Sequence, residues 1–228
     1  MPPGRKLILC YVTDRRSLTV VNSLPSGSAT PGKSEEYSEN ALVESIRNAA
    51  ANGVDWIQIR EKDLGSRALE RLVRRAIDAT LGSGAKILVN DRLDVALAAG
   101  AAGVHLGEAS LPVEVVAEWR RSAGRGEFHV GVSCHSVEAA NAAERRAADY
   151  ILFGPVFSTP SKAAFGPPQG IGRLREVCAA VRIPVLAIGG VTIENATACV
   201  EAGAVGVAAI RLFQETPNAA ARLKADSA

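Results

Sequence analysis

Polar residues suited to an anionic ligand recur at the ends of short apolar runs in this chain. One run closes as Gln58-Ile59-Arg60-Glu61-Lys62, a spacing that lets Gln58, Arg60 and Lys62 share one face of an extended segment. Others close as Asn90-Asp91-Arg92, His105-Leu106-Gly107 and Ser133-Cys134-His135. A later run leads into Gly154-Pro155-Val156-Phe157-Ser158-Thr159-Pro160-Ser161-Lys162, and another into Ile188-Gly189-Gly190. Gathered at one mouth, these cations, hydroxyls, a carboxylate and a diglycine would suit a phosphorylated small molecule. The diglycine precedes a helix start at Thr192, where free backbone N–H groups can hold a phosphate. Each piece also has a plainer reading: Asn90-Asp91 as a helix cap, Arg60 with Glu61 as a rim ion pair, Gly189-Gly190 as a tight turn, His105 as a structural residue.

The elements that must position these residues alternate from end to end. The apolar runs predict strands at Leu7–Thr13, Asp55–Arg60, Lys86–Asn90, Gly103–Leu106, Phe128–Ser133, Tyr150–Gly154, Val185–Ile188 and Gly206–Ile210. Ala-rich helical segments fall near 40–52, 66–81, 92–99, 112–123, 136–147, 171–181, 192–202 and 217–225. Strands that are mostly unbroken apolar runs fit parallel pairing with both faces covered. The repeated punctuation Ala99-Gly100 and Ala202-Gly203 ends a helix on glycine just before a strand. Together they predict an α/β chain folded as one (β/α)8 TIM barrel over residues 1–228, with a doubly wound open sheet as the alternative. Residues 22–37, rich in Ser, Gly and Pro, break the rhythm and predict a flexible loop on the mouth side, either a lid or a loose insertion.

Composition narrows the function classes. A net charge of +2 over 228 residues gives no reason to expect a nucleic-acid or membrane partner. Arg120-Arg121 and Arg145-Arg146 read as solvated helix faces. No apolar run reaches the roughly 18 residues a membrane span needs, and no signal peptide is evident, so a cytoplasmic protein is expected. The four cysteines lack the paired spacing of a zinc site and read as reduced thiols, with Cys134 beside Ser133 the one candidate for chemistry. A homo-oligomer is compatible with the sequence.

Taken together, the motifs resemble the thiamine phosphate synthase family, which also contains the thiazole tautomerases. The likeness runs from Tyr11-Val12-Thr13-Asp14-Arg15 to Gly206-Val207-Ala208-Ala209-Ile210. It rests on the order of Gln58–Lys62, Asn90–Asp94, Gly103–Gly107, Gly131–Ser133, Gly154–Phe157 and Ile188–Thr192. The resemblance implies small phosphorylated pyrimidine and thiazole substrates and a Mg²⁺ cofactor. Arg60, Lys62 and Lys162 would hold a diphosphate, Asp91 would bind the metal, and Gln58 and Asn90 would orient the pyrimidine. Ser133, Thr159 and Ser161 would supply hydroxyl contacts, Gly189 and Gly190 would meet the thiazole phosphate, and His105 and Ile210 would complete the substrate site.

The chain also departs from that pattern. Ser110 occupies the place of a second acidic metal ligand, with Glu108 nearby as a replacement, and Ala208 and Arg211 occur where smaller or hydroxylated residues are usual. His135 fits the tautomerase branch, in which a histidine after the fifth strand acts as acid and base. Retention of Gln58, Lys62 and Asp91 favours the synthase. A catalytically silent phosphate-ligand binder is the remaining alternative.

Overall fold

The computed structural model describes residues 7–18, 31–159 and 167–225, with the side chains of the first helix described from residue 36. Eight parallel strands close into a barrel in sequence order, and no open-sheet edge remains. The strands are β1 (Ile8–Val12), β2 (Trp56–Ile59), β3 (Lys86–Asn90), β4 (Gly103–Leu106), β5 (His129–Cys134), β6 (Tyr150–Phe153), β7 (Val185–Ile188) and β8 (Gly206–Ala209). Around them run α1 (Pro31–Ala51), α2 (Ser66–Ala79), α3 (Leu93–Ala99), α4 (Val113–Ser122) and α5 (Val137–Arg145). The ring continues with α6 (Gly170–Ala180), α7 (Ile193–Glu201), α8 (Arg211–Glu215) and α9 (Ala219–Ala225).

Closure explains the unbroken apolar strands. Residues facing outward, such as Ile57, Ile59, Val104 and Ile151, pack under the helices. Those facing inward, such as Cys10, Leu88, Tyr150 and Leu186, fill the barrel interior as a second cluster. Helix α2 shows how a surface helix is held: Leu69, Leu72, Val73 and Ala76 are buried at the i, i+3, i+4, i+7 spacing of one face. Each such leucine contributes about 1.5–3 kcal/mol by leaving water, and Leu72→Ala would cost about 2–5 kcal/mol through the cavity it leaves. Helix α3 ends as its sequence suggests, on Gly100 in the left-handed region at φ 77°, whose N–H closes onto Ala96 and Leu97 carbonyls.

The predicted boundaries need correction in places. Helix α1 begins at Pro31, so residues 31–37 of the expected loop are helical, and residues 22–30 lie outside the described residues. The short helix α8, directly after β8, was not anticipated. Arg120 is no solvated residue: it turns inward to the Phe128 carbonyl and the Asp149 carboxylate. Among the described residues the cysteines are free, and no helix is long and apolar enough to cross a membrane.

Candidate active site

A cavity of about 830 Å³ opens where the strands end. Strand β2 lends it Gln58, and the loop that follows adds Arg60 and Lys62, so all three residues line the cavity. Asn90, His105 and Ser133 come from the ends of β3, β4 and β5, followed by His135. Thr159, Gly189, Gly190 and Ile210 complete the expected set. Asp91 is not among the lining residues: it is exposed, at the rim beyond Asn90. Ser161 and Lys162 lie outside the described residues.

Burial and hydrogen bonding sort these residues by task. Gln58, 2% exposed, donates from Nε2 to Asn90 Oδ1 at 2.9 Å. Its Oε1 is buried with no partner among the described residues. Asn90 is therefore spent on Gln58 rather than on capping, and α3 starts at Leu93 with Arg92 at its N-cap and no side-chain cap bond. A buried acceptor left unmade costs about 1–3 kcal/mol, which an incoming N–H would recover. His105 is fully enclosed, and burial followed by the nearby Arg60 charge pushes its pKa down to about 3, so its ring is neutral. Its nitrogens meet Tyr150 Oη at 3.1 Å and Ser133 Oγ at 2.9 Å.

The plainer reading of Arg60 with Glu61 as an ion pair does not hold among the described residues. Glu61 turns away from the cavity, where Thr13 Oγ1 donates to it at 2.7 Å and Arg15 Nη1 at 3.1 Å. Arg15 reaches on to Asp63 with contacts of 2.6 and 2.5 Å, and the Arg60 backbone N–H donates to Thr13 Oγ1 at 2.9 Å. Burial holds the Glu61 carboxyl above its usual range despite the bonds from Thr13 and Arg15. Asp63 faces the same guanidinium with little burial and is held at about 2. This network joins the ends of β1 and β2, fixing the loop that carries Arg60 and Lys62. Sequence reading missed it because its members lie more than forty residues apart.

The diglycine is required by close approach. Gly189 and Gly190 sit at φ 96° and 66°, where a Cβ would come 2.5 Å from Pro155 Cβ and 2.5 Å from the Ser158 carbonyl oxygen respectively. The Thr192 N–H beyond them is not free: it donates to Asn195 Oδ1 at 2.8 Å. His135 precedes the α5 cap Ser136, and its Nδ1 meets the Gly154 carbonyl oxygen, which can only accept. A proton therefore sits on Nδ1. Cys134 is buried and its thiol is pushed up to about 12 by burial and the Glu108 charge, which leaves no thiolate for chemistry at neutral pH.

Among the described residues, no three His, Cys, Asp or Glu side chains converge as a metal site. Asp91, in the left-handed region at φ 65°, and Glu108, close enough to act on Cys134, offer oxygen donors only. Ser110 is spent on its own turn, accepting the Gly107 N–H at 2.7 Å. Neither carboxylate lines the cavity, and the two match by donor type a hard cation whose remaining ligands would be water and substrate oxygens, as magnesium prefers. The lining also includes Asp14, Ser17, Arg211 and Arg222, which sequence reading did not select. Asp14 and Arg211 follow β1 and β8, so the strand-end rule could have found them; nothing local marks Arg222.

Fold and cavity define a (β/α)8 barrel whose mouth gathers cationic side chains suited to a small anionic ligand. The family model described as "Thiamine monophosphate synthase" matches residues 30–213. A thiamine-phosphate synthase of Roseiflexus castenholzii is 42% identical over 224 residues, 98% of this chain and 88% of that protein. Another from Methanoregula boonei is 45% identical over 182 residues, 79% of this chain and 82% of that one. The solved thiamine phosphate pyrophosphorylase of Pyrococcus furiosus is 31% identical with a TM-score of 0.76, covering 97% of each chain. The chain belongs to the thiamine monophosphate synthase family.

Proposed function

We propose that the cavity joins a hydroxymethylpyrimidine diphosphate to a thiazole phosphate, releasing thiamine phosphate and pyrophosphate in the cytoplasm. The observation that carries this reading is the unpartnered Gln58 Oε1 beside Arg60 and Lys62: an acceptor for an aminopyrimidine N–H next to cations for a diphosphate. The bond from the pyrimidinylmethyl carbon to the diphosphate oxygen breaks, and its electron pair leaves with pyrophosphate. The thiazole nitrogen then gives its lone pair to the resulting carbocation. Arg60 and Lys62, held by the fixed loop of β2, bind the charge that grows on the leaving group; Lys162 and Ser161 are assigned to the same group on resemblance. Asp91, with Glu108 as a second carboxylate, would hold a magnesium ion, which when bound neutralises diphosphate charge. Ser133 and Thr159 supply hydroxyl contacts, and the backbone at Gly189-Gly190 and Ile210 receives the thiazole phosphate.

The deciding assay follows thiamine phosphate and pyrophosphate from both substrates, with magnesium and with chelator. Gln58→Leu should raise the pyrimidine substrate's KM about tenfold, the worth of one strong hydrogen bond. No thiamine phosphate from folded protein with magnesium would sink the reading. A second reading, tautomerisation of a thiazole phosphate, is favoured by His135 in the cavity wall, its Nδ1 held by the Gly154 carbonyl. It requires activity that survives chelation and disappears in His135→Ala.

A further inference from the structure

The barrel interior holds a polar pair that the reaction above does not use. Tyr150 opens β6 and His105 lies in β4, and each is 1% exposed. The chain makes deliberate room for this tyrosine: a Cβ at Gly131 would fall 1.9 Å from Tyr150 Cζ and 2.4 Å from its hydroxyl oxygen. Trp56 packs on the ring, with centroids 4.7 Å apart. The hydroxyl is thereby delivered to His105 Nδ1 at 3.1 Å, while His105 Nε2 reaches Ser133 Oγ at 2.9 Å.

Proton accounting gives this chain a direction. A fully buried O–H must donate, and His105 Nδ1 is its one hydrogen-bond partner among the described residues. A neutral imidazole has one N–H and one lone pair. With Nδ1 accepting from Tyr150, the proton sits on Nε2 and is donated to Ser133 Oγ. Ser133 then has no need to donate inward, and its own hydrogen is available to the cavity it lines. The opposite order would leave the tyrosine proton buried without an acceptor, the costly case for a desolvated donor.

We propose that Tyr150 and His105 are positioning residues that fix the polarity of Ser133, so that its hydroxyl donates to the bound substrate and selects an acceptor atom there. This rests on Ser133 being a substrate contact in the condensation. The acceptor is a nitrogen lone pair of the pyrimidine ring or a diphosphate oxygen.

The first test needs no substrate. Nitrogen-15 NMR of the imidazole groups in the free protein should show His105 protonated on Nε2 alone at pH 7; a proton on Nδ1, or on both nitrogens, overturns the proposal. In Tyr150→Phe the Nε2 preference should relax. Binding of hydroxymethylpyrimidine diphosphate should weaken about fivefold to tenfold in Ser133→Ala, one hydrogen bond's worth. Tyr150→Phe should weaken it by a smaller factor, and add nothing in the Ser133→Ala background. Equal losses in both backgrounds would make Tyr150 merely structural and refute the relay. Inorganic pyrophosphate separates the acceptors: a parallel loss with Ser133→Ala places the bond on the diphosphate, an unchanged affinity on the ring. Failure to form thiamine phosphate would remove the condensation reading and leave the tautomer result intact.

Discussion

Replacing Arg15 with methionine keeps an apolar stem of similar length and deletes the guanidinium that joins β1 to β2. That group donates to Glu61 at 3.1 Å and to Asp63 at 2.6 and 2.5 Å. The Glu61 side chain is 2% exposed, so the variant strands a buried carboxylate that keeps only the Thr13 hydroxyl and a backbone N–H. Removing one member of a buried pair costs about 3–5 kcal/mol, a large share of the roughly 5–15 kcal/mol that holds a domain together. Asp63, with a side chain 29% exposed, is resolvated and contributes little to that loss. Urea denaturation of Arg15→Met, Glu61→Gln and the double variant measures the coupling. The double variant should be more stable than Arg15→Met alone, because a glutamine needs no counter-charge. The sign with pH is fixed as well. Burial already raises the Glu61 carboxyl, and loss of Arg15 raises it further. A raised carboxyl contributes its full stability below the unfolded pKa and loses it as pH rises through the folded one. The deficit of Arg15→Met should therefore be smaller at pH 5 than at pH 8. A deficit under about 1 kcal/mol, unchanged with pH, would refute the reasoning by making this an ordinary surface pair.

Three further outcomes are expected. Gly190→Ala places a Cβ 2.5 Å from the Ser158 carbonyl oxygen at φ 66°; it should cost about 1–3 kcal/mol and raise the KM of the thiazole phosphate more than that of the pyrimidine diphosphate. Unchanged stability and kinetics would contradict the close approach. Burial depresses both His105, to about 3, and His129, which Lys86 lowers further, so acid favours the unfolded chain. Stability should be full above about pH 6.5 and decline as pH falls below it; a flat urea midpoint between pH 7.5 and 5 would sink this account, and His129→Gln should reduce the slope. Ser110→Asp can still accept the Gly107 N–H now made at 2.7 Å while adding a carboxylate. A severalfold lower magnesium requirement in the thiamine phosphate assay is expected, and an unchanged one would mean that metal binding does not limit the rate.

The sequence by itself determined the barrel and most of its mouth, because both follow from short-range periodicity. Buried parallel strands must be apolar on both faces, so Leu7–Thr13 and Val185–Ile188 declare themselves. Gln58 sits in β2 and Arg60 and Lys62 in the loop directly after it, and polar residues at a strand end of this kind face the mouth of a barrel. Boundaries were less legible: α1 starts at Pro31, within a stretch whose Ser, Gly and Pro argued for a loop, and α8 is too short for a periodic signal. Tertiary structure alone decided which partner each polar residue received. Glu61 adjoins Arg60 in sequence yet pairs with Arg15, forty-six residues away, because the paired strands β1 and β2 bring their ends together. His105 carried the same letter whether solvated or enclosed; only the closed barrel strips its water, places Tyr150 under it and keeps it neutral. Desolvation and long-range pairing depend on what surrounds a side chain in three dimensions, and local pattern does not encode that.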